Sequence, residues 1–239
     1  MKTHKQSLTL ALALLAAAGA NLALADGSAS PSTRQDAQAA WQGEGLQPIT
    51  VRGMDLAYLR PDANLQSYHS LLIKPITVSF QKNWERSAAI PVGTRVSPRD
   101  ADRIRKDMAD VVGFQLKREF EKGGWRVVDQ PGAGVLEIDV RIVELYLNAP
   151  DLPTAGINKS YTRTFGELTL VADLSDASTD AVLMHTLDRI VGRDRVQLQR
   201  TTRVENAHDV GIATAAWAQL LRRQLELARV AGDRSNGRP

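Results

Sequence analysis

"LTLVADLSDASTDAVLMHTLDRIVGRD", residues Leu168 to Asp194, is the stretch whose reading decides the fold. It holds Asp173, Asp176, Asp180, Asp188, Asp194 and His185, a density of carboxylates and imidazole that suggests an active-site segment. The alternation suggests a hairpin instead. Leu168, Leu170, Ala172 and Leu174 alternate with Glu167, Thr169, Val171 and Asp173, the pattern of a half-buried strand. "SDASTD" then collects Asp and Ser, which bond their own backbone in turns, and "AVLMHTLDRIVG" is the returning strand. His185 and Asp188 stand three apart on that strand, so their side chains leave opposite faces and cannot form an acid–base pair with each other.

Working outward, "WRVVDQ", the turn "PGAG" and "VLEIDVRIVELYLN" form a second predicted hairpin. Leu136, Ile138, Val140 and Ile142 share one side of it, and Leu145 and Leu147 take over after Val143, a phase change that implies a β-bulge. Upstream, "SLLIKPITVSF" (Ser70 to Phe80) is a strand whose alternation slips at Lys74-Pro75, again a bulge or an edge position. Shorter extended pieces, "LQPITVRG" and "DLAYLRP", precede it. Between Ser70–Phe80 and the hairpins lies the best-signalled helix. Ser97 is its N-cap, Pro98 stands at N1 and Asp100 at N3, a capping box with a proline start. Ala101, Ile104, Met108, Val111, Val112, Leu116 and Phe120 recur at helical spacing, and Gly123-Gly124 stops the helix. Trp84 and Ile90, in the connection before it, read as core plugs. A last helix is expected from Asn206 as cap, with Asp209 at N3, to about Ala231. The resulting class is α+β: a two-layer sandwich with a mixed or antiparallel sheet of about five strands, two long helices on one face and a wet opposite face.

The N-terminus carries a different signal. "MKTHKQS" is basic, "LTLALALLAAAGANLALA" is apolar, and Ala23-Leu24-Ala25 is a small-residue cleavage site, the three regions of a secretory signal peptide. Residues 1–25 are therefore expected to be removed, 26–45 to be a disordered leader, 46–231 to be the single domain and 232–239 a disordered tail. Cysteine is absent, so no disulfide supports an exported fold and no lipid can be attached at the cleavage point. A bacterial periplasm follows as the expected address, with secretion as the variant of it. No second apolar run is long enough to span a bilayer. Removing Lys2 and Lys5 from a chain of net charge +3 leaves a near-neutral, mixed surface, which argues against a dedicated nucleic-acid binder.

Chemical motifs are lacking. His69, His185 and His208 stand at no metal-ligand spacing. There is no GxSxG nucleophile elbow, no thiol, no P-loop and no dinucleotide fingerprint; "NKS" at Asn158 is an idle glycosylation match. No catalytic residue, metal or cofactor is assigned, and a non-enzymatic protein is expected. What remains is loop chemistry. Connections longer than about 12–15 residues are uncommon in compact domains and often functional, and pairing of the last two strands brings loops Asn148–Thr164 and Gly192–Glu205 to one end of the sheet. Lys159, Arg163, Arg193, Arg195, Arg200 and Arg203 would line that rim, suited to an acidic envelope protein or to an anionic glycan or lipid headgroup. The second candidate surface is the wet sheet face with Glu137, Asp139, Arg141, Glu167, Thr169, Asp173, His185 and Arg189. Two rivals belong to other classes. A small-ligand carrier would show an apolar cavity between sheet and helices, and a hydrolase or transferase built from scattered residues would show convergent, perturbed carboxylates or histidine.

"YHSLLIKPITVSF", "GGWRVVDQPGAGVLEIDVRIVELYLNAP" and "GELTLVADLSDASTDAVL" together resemble the bacterial envelope family catalogued as domain of unknown function 3313, from about Gly53 to Leu227. The resemblance implies an envelope protein and carries structural motifs rather than catalytic ones. Many members resemble lipoproteins, from which this chain departs by having no cysteine. The element order is also similar to the small α/β domains of the Tol propeller protein's N-terminus and of curli-export and synthase-activator lipoproteins. That analogy implies partner binding at the level of fold only.

Overall fold

The computed structural model describes residues 34–88, 90, 95–152, 161–193, 197, 199–200 and 202–236. The expected signal peptide and cleavage site lie outside the described residues. The elements are α1 (Arg34–Gly43), β1 (Gln47–Ile49), β2 (Leu56–Leu59), a 3-10 turn (Leu65–Ser67), β3 (Ser70–Ile73), β4 (Thr77–Phe80), α2 (Trp84–Ser87), α3 (Pro98–Lys122), β5 (Arg126–Val128), β6 (Val135–Leu147), β7 (Tyr161–Thr162), β8 (Gly166–Asp176), β9 (Val182–Val191), β10 (Gln199–Arg200) and α4 (Arg203–Asn236). The class is α+β with a mixed sheet.

β8 and β9 pair antiparallel with Asp173 opposite His185. Their turn is built by Asp176, whose carboxylate accepts the backbone N–H groups of Ser178 and Thr179, both at 2.9 Å. The Ser178 hydroxyl at 2.5 Å and the Tyr68 hydroxyl at 2.8 Å, with these backbone bonds, hold the Asp176 carboxyl well below the usual carboxylate range. The bulge expected near Val143 is present: the β6–β8 register shifts between Ile142 and Tyr146, and Leu145 and Leu147 enter the core. At the other side of that irregularity Gly166 has φ +126°, and a Cβ there would stand 1.9 Å from the Tyr146 carbonyl oxygen, so only glycine fits. The slip at Lys74-Pro75 splits the first strand into β3 and β4, both parallel to β6.

The α3 stripe of Ile104, Met108, Val112, Leu116 and Phe120 is buried against Leu136, Ile138 and Val140 of β6 and Leu168, Leu170 and Ala172 of β8. The capping box forms as expected: Ser97 Oγ accepts the Asp100 N–H at 3.1 Å, and the Asp100 carboxylate accepts the Ser97 N–H at 3.4 Å. Trp84 fills the core, and its indole N–H donates to the Leu147 carbonyl at 2.8 Å. α4 packs along α3 and closes the same layer with Val210, Trp217, Leu221 and Leu225.

Four expectations are corrected. The sheet has eight strands rather than about five, ordered β1-β2-β9-β8-β6-β3-β5 with β4 also on β6. The short pieces β1 and β2 extend it beyond β9, because an unpaired β9 edge would leave a row of backbone groups unsatisfied. β5 and β6 are not a hairpin: both run parallel to β3 and lie on either side of it, with Ser70 opposite Arg126 and Val135. The fully buried Leu71 segment thereby gains ladder partners on both edges.

The leader is not disordered over its second half. Residues 34–43 form α1, which buries Ala37 and Trp41 against Tyr58, Val171 and Leu187 on the face opposite α3 and α4. Helices therefore occupy both faces. Finally, α4 begins at Arg203 rather than after Asn206, and it runs to Asn236 through part of the expected tail. Thr202 performs the capping, its hydroxyl accepting the Glu205 N–H at 3.2 Å. Asn206 sits inside the first turn and is buried, donating to the Ala149 carbonyl at 3.1 Å.

Candidate functional site

The polar residues of the second sheet face are not a solvated set. Strand alternation places His185 of β9 beside Asp173 of β8, and α1 brings Trp41 over the imidazole at 4.9 Å in a stacked arrangement. His185 is 5 % exposed. Its Nδ1 lies 2.6 Å from Asp173 Oδ1, and its Nε2 lies 3.0 Å from Glu44 Oε2, just beyond α1. Burial alone would lower the imidazole's pKa, but the two carboxylates outweigh it and hold the pKa above its ordinary value. Asp173 is shifted the other way. Burial would raise its carboxyl, yet the His185 hydrogen bond and the Arg141 guanidinium hold it down. Arg141 also bonds Asp139 at 3.0 Å. Arg189 pairs with Glu167, and Lys74 with Glu137 at 2.5 Å. Both imidazole nitrogens are engaged and the ring is covered, so this cluster fastens α1 to the sheet and offers no unoccupied base. The expected wet face is thus corrected to a charge-paired, partly covered one.

The other side of the sheet holds a cleft of about 540 Å³ between the end of β9, the loop at Gly53 and the first half of α4. Its walls include Phe165, Ile190, Ile212, Trp217 and Leu220, and it also takes in Asp188, Gly192, Arg193 and Asp209. Asp188 shares β9's inward register with Met184 and Thr186, which puts a carboxyl on the apolar side of the strand. It is 9 % exposed. Burial, with repulsion from the Asp55 carboxylate, pushes its pKa up to about 7. Asp55 donates its backbone N–H to Asp188 Oδ1 at 3.3 Å, while its own carboxylate accepts from Arg34 and from the Arg189 N–H, both at 2.9 Å. Sequence reasoning set Asp188 on the returning strand, on the face opposite His185, and missed this site. The available signal was parity: a carboxylate in phase with Met184 and Ile190.

The two long loops do meet. β7 and β10 pair antiparallel, with Thr162 opposite Gln199 and Tyr161 opposite Arg200. Arg163 and Arg193 are exposed there, and Arg200 takes its place on β10. Arg203 is already engaged: its guanidinium pairs with Asp107 at 2.5 Å, and its backbone N–H donates to Asp151 at 3.1 Å. Lys159 and Arg195 lie outside the described residues. Among the described residues there is no group of three or more His, Asp or Glu side chains that could hold a metal ion. No helix among them is long and apolar enough to cross a membrane.

An eight-stranded mixed sheet carrying α3 and α4 on one face and α1 on the other, with a cleft at one end, defines an α+β domain. The chain belongs to the family described as "Protein of unknown function (DUF3313)", whose model matches residues 35–221. No curated protein is detectably similar to the chain.

Similar solved structures include protein XCC0632 from Xanthomonas campestris, of family DUF330, at 14% identity, covering 79% of this chain and 97% of that one with a TM-score of 0.40. The PelC dodecamer from Paraburkholderia phytofirmans matches at 10% identity, with 74% and 96% covered and a TM-score of 0.35. A minor lipoprotein from Acinetobacter baumannii matches at 14% identity, with 68% and 95% covered and a TM-score of 0.32.

Proposed function

We propose that this protein is an exported, non-enzymatic accessory protein of the bacterial cell envelope that binds an envelope partner through the loop end of its sheet. The observation that carries this reading is the β7–β10 pairing, which joins the two long loops where Arg163, Arg193 and Arg200 stand. Loops positioned by a rigid sheet are where binding residues concentrate, and Arg suits planar recognition of carboxylate or phosphate. The signal-type N-terminus and the family membership support the envelope setting. The non-enzymatic part is supported by His185, which is locked between Asp173 and Glu44.

The test is photo-crosslinking in intact envelopes, at low and high salt, with wild type and an Arg163→Ser, Arg193→Ser, Arg200→Ser variant. Arg203 is left in place because its loss would take from Asp107 the closer of its two cationic partners, leaving Arg103 at 3.9 Å. Folding should be nearly unchanged, since exposed loop charges usually alter stability by less than about 0.5 kcal/mol. Complex yield should fall, and what remains should depend less on salt. Equal yields from both proteins would reject the rim as the binding surface. The carrier reading keeps a claim of its own because of the cleft beside α4.

A further inference from the structure

The cleft beside α4 differs in chemistry from the loop rim. Its hydrocarbon comes from three directions: Ile190 on β9, Trp217 and Leu220 on α4, and Phe165 just before β8. Into this lining the fold places Asp188, more than nine-tenths buried. Its one hydrogen-bond donor among the described residues is the Asp55 amide, at the long distance of 3.3 Å. No cation among them stands within ion-pair reach. Arg189, the next residue, sends its guanidinium to Glu167 on the opposite face, and Arg34 is held by Asp55. Arg193 lines the cleft and is exposed; Asp209 contributes a second carboxylate from α4. A carboxyl buried in hydrocarbon without a cation is costly to ionise. A molecule that brings the missing positive charge, together with an apolar body, removes that penalty and buries its own hydrocarbon in one step.

We propose that this cleft binds a small organic cation with an apolar body, an alkyl- or arylamine. Its ammonium pairs with the Asp188 carboxylate, and its hydrocarbon lies against Trp217, Leu220 and Ile190. The volume of about 540 Å³ falls within the ordinary range for small-molecule sites, about 300–1,000 Å³. An anionic ligand of the same shape would meet Asp188 and Asp209. A neutral one would cover Asp188 and leave its carboxylate without a counter-charge. The cation is the complementary choice, and its assignment rests on Asp188 rather than on the partner-binding rim, with which the cleft shares Arg193.

Three probes with one apolar body and three head groups separate these cases: phenylbutylamine, phenylbutanol and phenylbutyrate. Of the protein's four tryptophans, Trp217 alone lines the cleft, so its fluorescence reports occupancy, and Trp217→Phe identifies its share of the signal. The amine should bind at least about tenfold more tightly than the alcohol, and the butyrate most weakly, as expected for pairing with a desolvated carboxylate. Asp188→Asn should abolish the preference for the amine while alcohol binding persists. Ala216→Phe, on the exposed wall of the cleft, should weaken all three by filling space.

The amine should also bind more tightly at pH 8 than at pH 5.5, by on the order of tenfold, as Asp188 gives up its proton. Its charged neighbours are Arg34, held by Asp55, and Arg193, and Asp55 and Asp209 are the other carboxylates beside the cleft. Equal binding of amine and alcohol, tighter binding of the butyrate, no binding of any probe, or an Asp188→Asn variant that retains the amine preference would each overturn the assignment. Crosslinking at the rim would be untouched by any of those results.

Discussion

Asp188→Asn should make the protein more stable above neutral pH, an unusual outcome for a buried polar position. The reasoning starts from the shift: an ordinary value of 3.8 becomes about 7 in the fold, chiefly through burial. Between those values the folded protein holds a proton that the unfolded chain has released. Stability therefore falls as pH rises through this window, and the full cost is present above about pH 7. A shift of about three units at about 1.4 kcal/mol per unit sets a ceiling near 4 kcal/mol. Water entering the open side of the cleft reduces this, to roughly 1–3 kcal/mol. Asparagine has nearly the same shape, carries no charge and keeps an oxygen to accept the Asp55 N–H.

The assay is urea unfolding of both proteins at pH 5 and pH 8. His185 contributes with the same sign, because its pKa is raised: its stabilisation is present below 6.5 and is lost as pH rises through the folded value. The difference between variant and wild type at each pH isolates Asp188. The variant should lose less stability between the two pH values and be the more stable protein at pH 8. Identical pH slopes would refute the account. A variant less stable at pH 8 would show that the carboxylate is ionised and paired in the folded protein.

Ser97→Ala should destabilise the fold by about 0.5–2 kcal/mol in the same assay, because it removes the oxygen that accepts the Asp100 N–H at the start of α3; an unmoved midpoint would mean that end of the helix is satisfied otherwise. Trp41→Ala removes a side chain 2 % exposed that stacks on His185 and meets Tyr58 edge-on. Large-to-small aromatic changes cost about 3–5 kcal/mol in a core, so α1 should detach locally and be cut faster by protease; unchanged cleavage would show that the Arg34–Asp55 and Glu44–His185 pairs suffice to hold it. Export should yield a chain beginning at Asp26 by intact mass, and recovery of uncleaved protein in the inner membrane would contradict the signal-peptide reading.

The elements legible in the sequence were those specified by neighbours in the chain. α3 declared itself by Ser97, Pro98 and Asp100 at one end and by a stripe of apolar residues along its length. The β8–β9 hairpin declared itself by alternation and by the Asp176 turn. Pairing between distant segments was not legible. "PGAG" between two apolar runs describes a hairpin as well as it describes the passage of β5 and β6 around β3, because the local pattern is the same for both. α4 was misplaced by one turn because Thr202 and Glu205 form a cap signature as good as that of Asn206 and Asp209. α1 was missed because ten residues are too few to hold a helix on their own, however favourable their Ala, Gln and Arg, and Trp41 is their one large apolar side chain. The helix exists because Trp41 and Ala37 find Tyr58, Val171 and Leu187, and those partners come from three strands.

That covering explains where charge is left over in this molecule. On the α1 side charges stand in opposite pairs: His185 with Asp173 and Glu44, Arg141 with Asp139 and Asp173, Arg189 with Glu167. On the α4 side Asp188 has, among the described residues, only the Asp55 amide. Uneven treatment of like groups by one sheet is the mark of a position kept for something other than packing, since an asparagine or a leucine there would fold at lower electrostatic cost. The cleft and the rim also share chain. Gly192 and Arg193 line the cleft, and the segment they open leads to β10, which pairs with β7. A ligand that settles against Gly192 and Arg193 therefore touches the root of the loop proposed to meet the partner. Crosslinking with and without saturating phenylbutylamine measures that coupling directly. By linkage, any change in partner capture caused by the amine must be matched by an equal change in amine affinity caused by the partner.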